Sequence, residues 1–460
     1  MSPTFFKNVK EIITMDEQER RLKNCDLLVR DGKISALGSN LSLPPDLQRD
    51  EVEFIDAENY FMFPGLINTH HHFYQVLTRN IREVQDVELF DWLQYLYPIW
   101  SHLNPEAVYY STLTAAAELL KSGCTTSVDQ FYVFPGQERR DLIDREFAAA
   151  EKIGIRLHAC RGSMSLGEKD GGLPPDEVVQ SEEEILQDTE RVIKKFHDPE
   201  PFAQKRVIVS PCSPFSVTKK LMQESIELAR EYEVLAHTHL AETADEDEFC
   251  QQKFGLSPLE YMKEVNWVGP DVFFAHAVHL NPEEIQELAG QGTGVAHCPV
   301  SNMKLSSGVA PIPEMLEAGV PVGLAVDGSA SNDGSDMIAE MKTSLLLHKL
   351  SHGITSLGPE DVLRLATSGG SEILQQPEIG SLSEGQAADL FLLDSSRLPL
   401  AGGLSDPVSA LINTGINNEV DLTMVDGEIV VRQGEVQTIS EQKVARKTNE
   451  IAGRMLAEEA

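Results

Sequence analysis

The sequence predicts an α/β fold, a (β/α)8 TIM-type barrel with a small β-sandwich built from both chain ends, and three observations lead there. Eight apolar runs that read as buried strands end near residues 70–72, 129, 161, 210, 239, 276, 297 and 327, with amphipathic stretches between them. Short alternating segments with tight turns occur before residue 62 and return after residue 378. Six side chains suited to metal binding or proton transfer, His70, His72, His239, Glu242, His276 and Asp327, stand at or just past the ends of four of the runs. A barrel gathers such strand ends at one mouth however far apart they are in sequence.

In chain order, residues 1–62 and 378–438 are assigned to the sandwich, 63–377 to the barrel and 439–460 to a closing helix. Segments 26–30 and 33–37 flank Asp31-Gly32, a pair suited to a two-residue hairpin because both positions tolerate positive φ. The same style recurs at 388–394 and where Asp426-Gly427 precedes 428–431, so the two ends are expected to pair. Helices are expected over 105–121, 181–196, 218–232 and 282–289, and after the eighth strand over 336–350 and 359–367. The Gly- and Pro-rich stretch 171–175 interrupts the third repeat as a loop over the mouth, and 440–459 reads as the last helix.

A length of 460 residues suits one large barrel with a satellite. Lys and Arg total 38 against 73 Asp and Glu, and the resulting formal charge of −35 opposes nucleic acid and anionic membrane surfaces as partners. The six cysteines are scattered with no CxxC pair, which fits reduced thiols better than a disulfide scaffold or structural zinc cluster. Residues 1–10 lack a signal-peptide pattern and no apolar run reaches membrane-spanning length, so a soluble cytoplasmic protein is expected.

His70 and His72 are two apart at a strand end, where alternation turns both imidazoles to one side and His71 to the other. His239 closes the run 234–239 as a third imidazole, and Glu242 can lean over the same opening. His237 shares that facing one layer deeper and reads as a hydrogen-bonded core histidine. Asp327 follows the apolar run 320–326, where an isolated carboxylate is costly to bury without a cation, a helix cap being the competing reading. His276 is placed to hydrogen-bond the attacking water or a developing oxyanion, ahead of His279, which lies past the strand end. His297 reads as lining the seventh strand. Three imidazoles and one carboxylate leave room on zinc for a water, whose pKa falls from about 15.7 to about 7. Glu242 would then carry the proton to a ring nitrogen, and Asp327 would assist the second transfer, which expels ammonia.

These residues, in this order and with the flank Phe63-Pro64-Gly65-Leu66-Ile67-Asn68-Thr69, resemble the amidohydrolase superfamily, specifically its cytosine/guanine deaminase and triazine hydrolase branch, whose pattern runs PGxxNxHxH, HxxE, H, D. The likeness spans nearly the whole chain. It implies a homo-oligomer with one divalent ion per subunit, zinc or, second, iron, held by His70, His72, His239 and Asp327, with Glu242 and His276 handling protons. Two-metal relatives carry a carboxylated lysine at the end of strand four, where this chain has Val207-Ile208-Val209-Ser210-Pro211-Cys212, so one metal is expected. The strings Asn68-Thr69-His70-His71-His72-Phe73-Tyr74-Gln75, Arg161-Gly162-Ser163-Met164, Pro211-Cys212-Ser213-Pro214-Phe215 and His297-Cys298-Pro299-Val300-Ser301-Asn302 are similar to oxopurine-deaminating members. That implies hydrolysis of 8-oxoguanine to urate and ammonia. Isocytosine and hydroxyatrazine-type triazines are the alternatives, and a barrel without activity is the alternative of another class.

A small planar heterocycle also suits Phe73, Tyr74, Trp100, Phe131 and Tyr132 beside the first two strand ends, although core packing explains each ring taken singly. Gln75 offers a donor and an acceptor to a base edge, Arg161 a charge to a ring carbonyl, and Cys212 and Trp100 further pocket contacts. The GxSxG and HExxH patterns and the HxE…PCxxC deaminase pattern are absent.

Overall fold

The computed structural model describes residues 2–136, 139–414 and 419–459; Met1, 137–138, 415–418 and Ala460, which fall within the expected segments, lie outside the described residues. Among those described, eight parallel strands pair each with the next: Leu66–Asn68, Cys124–Phe131, Arg156–Ser163, Lys205–Pro211, Ala236–Leu240, Val272–His276, Gly294–His297 and Val322–Leu324. The seam between the eighth and the first closes through single hydrogen bonds. Thr69 N–H and Val326 N–H donate to Leu324 O (3.1 Å) and Asn68 Oδ1 (2.9 Å), and Asp327 N–H donates to His70 O (3.1 Å). The seam therefore fixes two of the candidate ligands against each other.

Ile67, Val128, Cys160, Ile208, Phe273, Ala296 and Ala325 pack together as the barrel filling, while residues of opposite facing such as Leu157, Val209, Phe274 and Val295 pack outward. This two-faced burial explains why the strands read as unbroken apolar runs. Strand five places His237 in the filling, stacked on Phe273 at 4.1 Å.

The expected helices form, and their starts are set by side-chain caps. Asn104 caps Pro105–Lys121, Ser181 caps Glu182–Phe196, Thr218 caps Lys219–Glu231, Asn281 caps Pro282–Gln291 and Asp336 caps Met337–His352. Pro359–Leu365 and Glu441–Glu459 follow as read. The stretch 171–175, expected as a loop over the mouth, is a turn in which Gly172 N–H donates to Gly167 O (2.9 Å), and Lys253 Nζ, from the helix after strand five, donates to Asp170 O beside it (3.3 Å). The mouth is covered by a helix the sequence reading left unassigned, Leu89–Trp100. No helix among the described residues is long and apolar enough to cross a membrane.

Both chain ends pair into one mixed sheet of nine described strands. The join is Tyr60–Pro64 against Leu390–Asp394, antiparallel, with Phe63 opposite Phe391 and their rings stacked at 5.0 Å. Asp31 and Gly32 have φ of 51° and 75°, the doubly positive turn that the Asp-Gly pair favours. Arg156, at the start of the third barrel strand, donates from Nε to Asp389 Oδ2 (2.7 Å), a fully buried pair that anchors the sheet to the barrel.

Asp129 on the second strand and Glu146 on helix Leu142–Ile153 are both buried, and burial drives both carboxyls well above their usual range. Asp129 also accepts the Phe73 N–H (2.6 Å), a bond that favours its charged form over that of Glu146. A folded-state pKa raised above the unfolded value gives stability that is present at low pH and lost as pH rises through the folded value. Wild-type Tm should therefore fall from mildly acidic to alkaline pH. Glu146→Gln, which cannot titrate, should flatten that fall; calorimetry across the pH series checks it, and an unchanged slope would show that the Glu146 carboxyl does not contribute to it.

Candidate metal centre and active site

Ala241, His276 and Asp327, just past or at the ends of three strands, adopt φ of 52°, 74° and 61°. Left-handed backbone at non-glycine residues is strained and collects at functional sites. Its effect is plain at His276. Strict alternation after the inward Phe273 would send residue 276 outward, and the left-handed turn at His276 and Ala277 brings the imidazole back over the mouth instead, with Nε2 3.6 Å from Glu242 Oε2.

The histidine tautomers follow from their partners. His72 Nδ1–H donates to Gln130 O (2.7 Å) and His239 Nδ1–H to Cys212 O (2.7 Å). His237 Nδ1–H donates to Phe273 O (2.9 Å), so its Nε2 must accept, and it does so from His70 Nδ1–H at 2.7 Å. Each of His70, His72 and His239 thus presents a bare Nε2 to one point. Burial holds all three imidazoles below their usual pKa, which keeps those lone pairs free. His71 turns away as expected, accepting the His72 N–H at Nδ1 and meeting Ser335 Oγ at 2.9 Å. His237 is the core histidine expected, and it also orients the candidate ligand His70, a contact the strand pattern did not show.

Asp327 supplies the carboxylate. Burial would raise its pKa, but the imidazoles around it, His70 nearest in effect, hold it well below the usual carboxylate range. Oδ1 lies 3.3 Å from both His70 Nε2 and His72 Nε2, and His72 Nε2 lies 3.2 Å from His239 Nε2. Two ligands about 2.0–2.1 Å from a tetrahedral ion stand about 3.3 Å apart, so the spacing fits one zinc-sized cation. His70 Nε2 is buried without a hydrogen-bond partner, a cost that a cation would remove. His70, His239, His276 and Asp327 also offer atoms within 4.8 Å of one another. His276 Nε2, however, sits 4.0 Å from Asp327 Oδ2, the oxygen already bonded by Ser301 Oγ (2.6 Å) and Ser331 Oγ (3.2 Å), while His276 Nδ1 donates to Asn302 Oδ1 (2.8 Å). The closer set is His70, His72, His239 and Asp327.

Glu242 stands beside this set, and burial pushes its carboxyl up to about 7, with Asp327 and Glu246 adding to the rise and His276 opposing it. Its own N–H donates to Glu246 Oε2 (3.0 Å), which fixes the turn that carries it. Burial disfavours charge on His276, yet the Glu242 and Asp327 carboxylates outweigh it and raise its pKa. A carboxyl titrating near neutrality beside a polarised imidazole can store and release a proton.

The cleft above these groups is lined by His72, Gln75, Tyr132, Cys212, His239, Glu242, His276, Asp327 and Ser331, and by the apolar side chains of Leu89, Trp92, Leu93, Phe215 and Leu305. Gln75 and Cys212, expected at the pocket, line this cleft. Arg161 and Trp100 do not line the cleft. Arg161 is turned to Asp188 Oδ2 (3.0 Å) and Gln180 Oε1 (2.9 Å) and lies over the Phe134 ring, because a buried guanidinium demands a full set of acceptors. Trp100 packs edge-on against Tyr74 and donates to Thr78 Oγ1 (3.1 Å). Of the expected aromatic wall, Tyr132 reaches the cleft; Phe73, Tyr74 and Phe131 pack behind it. Ser301 and Asn302, which hold Asp327 and His276, stand in the His297–Asn302 string and were legible only there. Trp92 had no sequence signal.

The Amidohydrolase family model matches residues 61–430. The chain is 44% identical to the 8-oxoguanine deaminase of Pseudomonas aeruginosa, over 95% of each chain. It is 37% identical to the hydroxydechloroatrazine ethylaminohydrolase of Pseudomonas sp. strain ADP, over 99% of this chain and 96% of the other. Among solved structures, the atrazine chlorohydrolase of Arthrobacter aurescens TC1 complexed with zinc superposes with a TM-score of 0.92 at 31% identity, covering 98% of this chain and 100% of that one.

Proposed function

Because the chain belongs to the amidohydrolase family, we propose that it is a metal-dependent aminohydrolase that converts an oxopurine, 8-oxoguanine foremost, to its oxo product and ammonia. The observation that carries this reading is the meeting of three bare imidazole nitrogens and an ionised Asp327 beside a glutamate poised near neutrality. His70, His72, His239 and Asp327 hold one divalent ion, which we take to be zinc, as in the Arthrobacter structure. When bound, the ion supplies Lewis acidity that lets a water lose a proton near neutral pH.

The chain's own groups do the rest. Glu242 takes the water proton and returns it to a ring nitrogen as oxygen adds to the amidine carbon, a task suited to a carboxyl with a pKa near the working pH. His276, anchored through Nδ1 by Asn302, presents Nε2 to the oxygen as charge develops. Asp327, steadied by Ser301 and Ser331, assists the second proton transfer, so that the C–N bond breaks with ammonia as leaving group. Gln75 and Cys212 offer polar contacts to the base edge. We place the enzyme in the cytoplasm, in keeping with six buried, unpaired thiols, and as a homo-oligomer.

A second reading, removal of an alkylamine from a hydroxytriazine, is favoured by the apolar wall of Leu89, Leu93, Phe215 and Leu305 and by the 37% relative. Ammonia or amine release by zinc-loaded protein across 8-oxoguanine, guanine, isocytosine and hydroxyatrazine separates the two. Turnover of 8-oxoguanine, abolished by chelation, is expected; release from the triazine alone would transfer the assignment, and release from none would end both.

A further inference from the structure

Among the described side chains that line the cleft, one buried nitrogen or oxygen lacks a hydrogen-bond partner: Trp92 Nε1. The chain has three tryptophans, and the other two are satisfied, Trp100 Nε1 by Thr78 Oγ1 (3.1 Å) and Trp267 Nε1 by Met222 O (2.7 Å). Buried indole N–H groups normally find an acceptor, so an unpaired one on a residue that lines the cleft points to a ligand as its acceptor. Trp92 is 3% exposed, rises from the helix that covers the mouth, and packs against Trp100 with ring centroids 5.6 Å apart. Its cleft neighbours Leu89 and Leu93 offer no side-chain acceptor.

We infer that Trp92 is a specificity-determining residue whose indole N–H donates to an acceptor on the edge of the substrate remote from the hydrolysed carbon, a demand met by the five-membered-ring carbonyl of a fused dioxopurine. The inference rests on the aminohydrolase reading above. The cleft floor is occupied by groups with duties toward the metal and the proton: His72, His239, Glu242, His276 and Asp327 surround the reacting carbon. The far edge of the ring system must therefore point up toward the covering helix. There a fused bicycle reaches Trp92 with a carbonyl, whereas a guanine ring offers a C–H at that place and an alkylaminotriazine an alkyl chain. A site built to hydrogen-bond a ligand rejects the analogue that lacks the partner, because the buried donor is then left unpaired.

The experiment compares binding of urate and xanthine, which differ in the five-membered ring by that carbonyl and one adjoining N–H, to the zinc-loaded full-length protein by calorimetry, for wild type and Trp92→Phe. Wild type is expected to bind urate about tenfold tighter than xanthine, and Trp92→Phe to bind both alike at the xanthine level, with metal content and Tm preserved. In parallel, kcat/KM for 8-oxoguanine should fall about tenfold through KM in the variant while that for guanine holds. Equal binding of urate and xanthine by wild type, or a preference that survives in Trp92→Phe, overturns the inference. Should Trp92→Phe fail to fold, equal binding of urate and xanthine by wild type still overturns the inference. Failure of the broader reading looks different: no ammonia from any oxopurine, whatever the binding preference.

Discussion

Glutamine at position 242 is expected to lower kcat by roughly 10²- to 10⁴-fold while the bound metal stays at one ion per chain. Glu242 lies next to the ligand set, not in it, so its removal leaves the three Nε2 atoms and Asp327 Oδ1 where they are. A carboxamide of the same shape cannot take a proton from water. The pH profile gives the same test from another side. Burial pushes the Glu242 carboxyl up to about 7, and a proton acceptor must be ionised, so wild-type kcat/KM should be full above that pH and fall as pH drops through it. Residual activity in Glu242→Gln should lack this acid limb. Full activity in the variant would reassign the proton carrier, and Glu246, raised to about 6 by burial and bonded to the Glu242 N–H, would be the next candidate.

His239→Ala removes one of the three imidazoles and should lower metal affinity and activity together, with excess zinc restoring neither in full. His237→Ala makes the informative contrast. From sequence, where His237 reads as a core histidine, it is expected chiefly to reduce stability. The structure puts His237 Nε2 on His70 Nδ1, so its loss frees a ligand ring to turn and should cost about 10- to 100-fold in metal affinity, with activity returning at high zinc. Metal content by mass spectrometry and activity against zinc concentration read both variants. If His237→Ala binds metal as tightly as wild type, the His237–His70 bond has no bearing on the centre.

The barrel was legible because a parallel sheet buried on both faces leaves unbroken apolar runs, and because Asn104, Ser181, Thr218 and Asn281 mark helix starts chemically. The meeting of His70, His72, His239 and Asp327 was legible because strand ends converge. What the sequence hid depends on direction. His276 reaches Glu242 through a left-handed residue that the strand alternation does not foresee. Arg161, a charge beside a candidate mouth, is drawn outward by Asp188 and Gln180, partners distant enough in sequence to give no pattern. Trp92 and Trp100 share one helix and similar surroundings, yet one donates to Thr78 and the other stands at the cleft, a difference of helical phase within a segment with no strand or cap to fix its position.

The central claim, one cation held by His70, His72, His239 and Asp327, is tested most directly by zinc-edge X-ray absorption on the loaded protein. The geometry predicts one zinc per chain with nitrogen and oxygen scatterers at about 2.0–2.2 Å and no sulfur shell. A shell at about 2.3 Å would place a cysteine, with Cys212 the one at the cleft, on the metal in contradiction of this ligand set, and a protein that retains no zinc would contradict the centre itself.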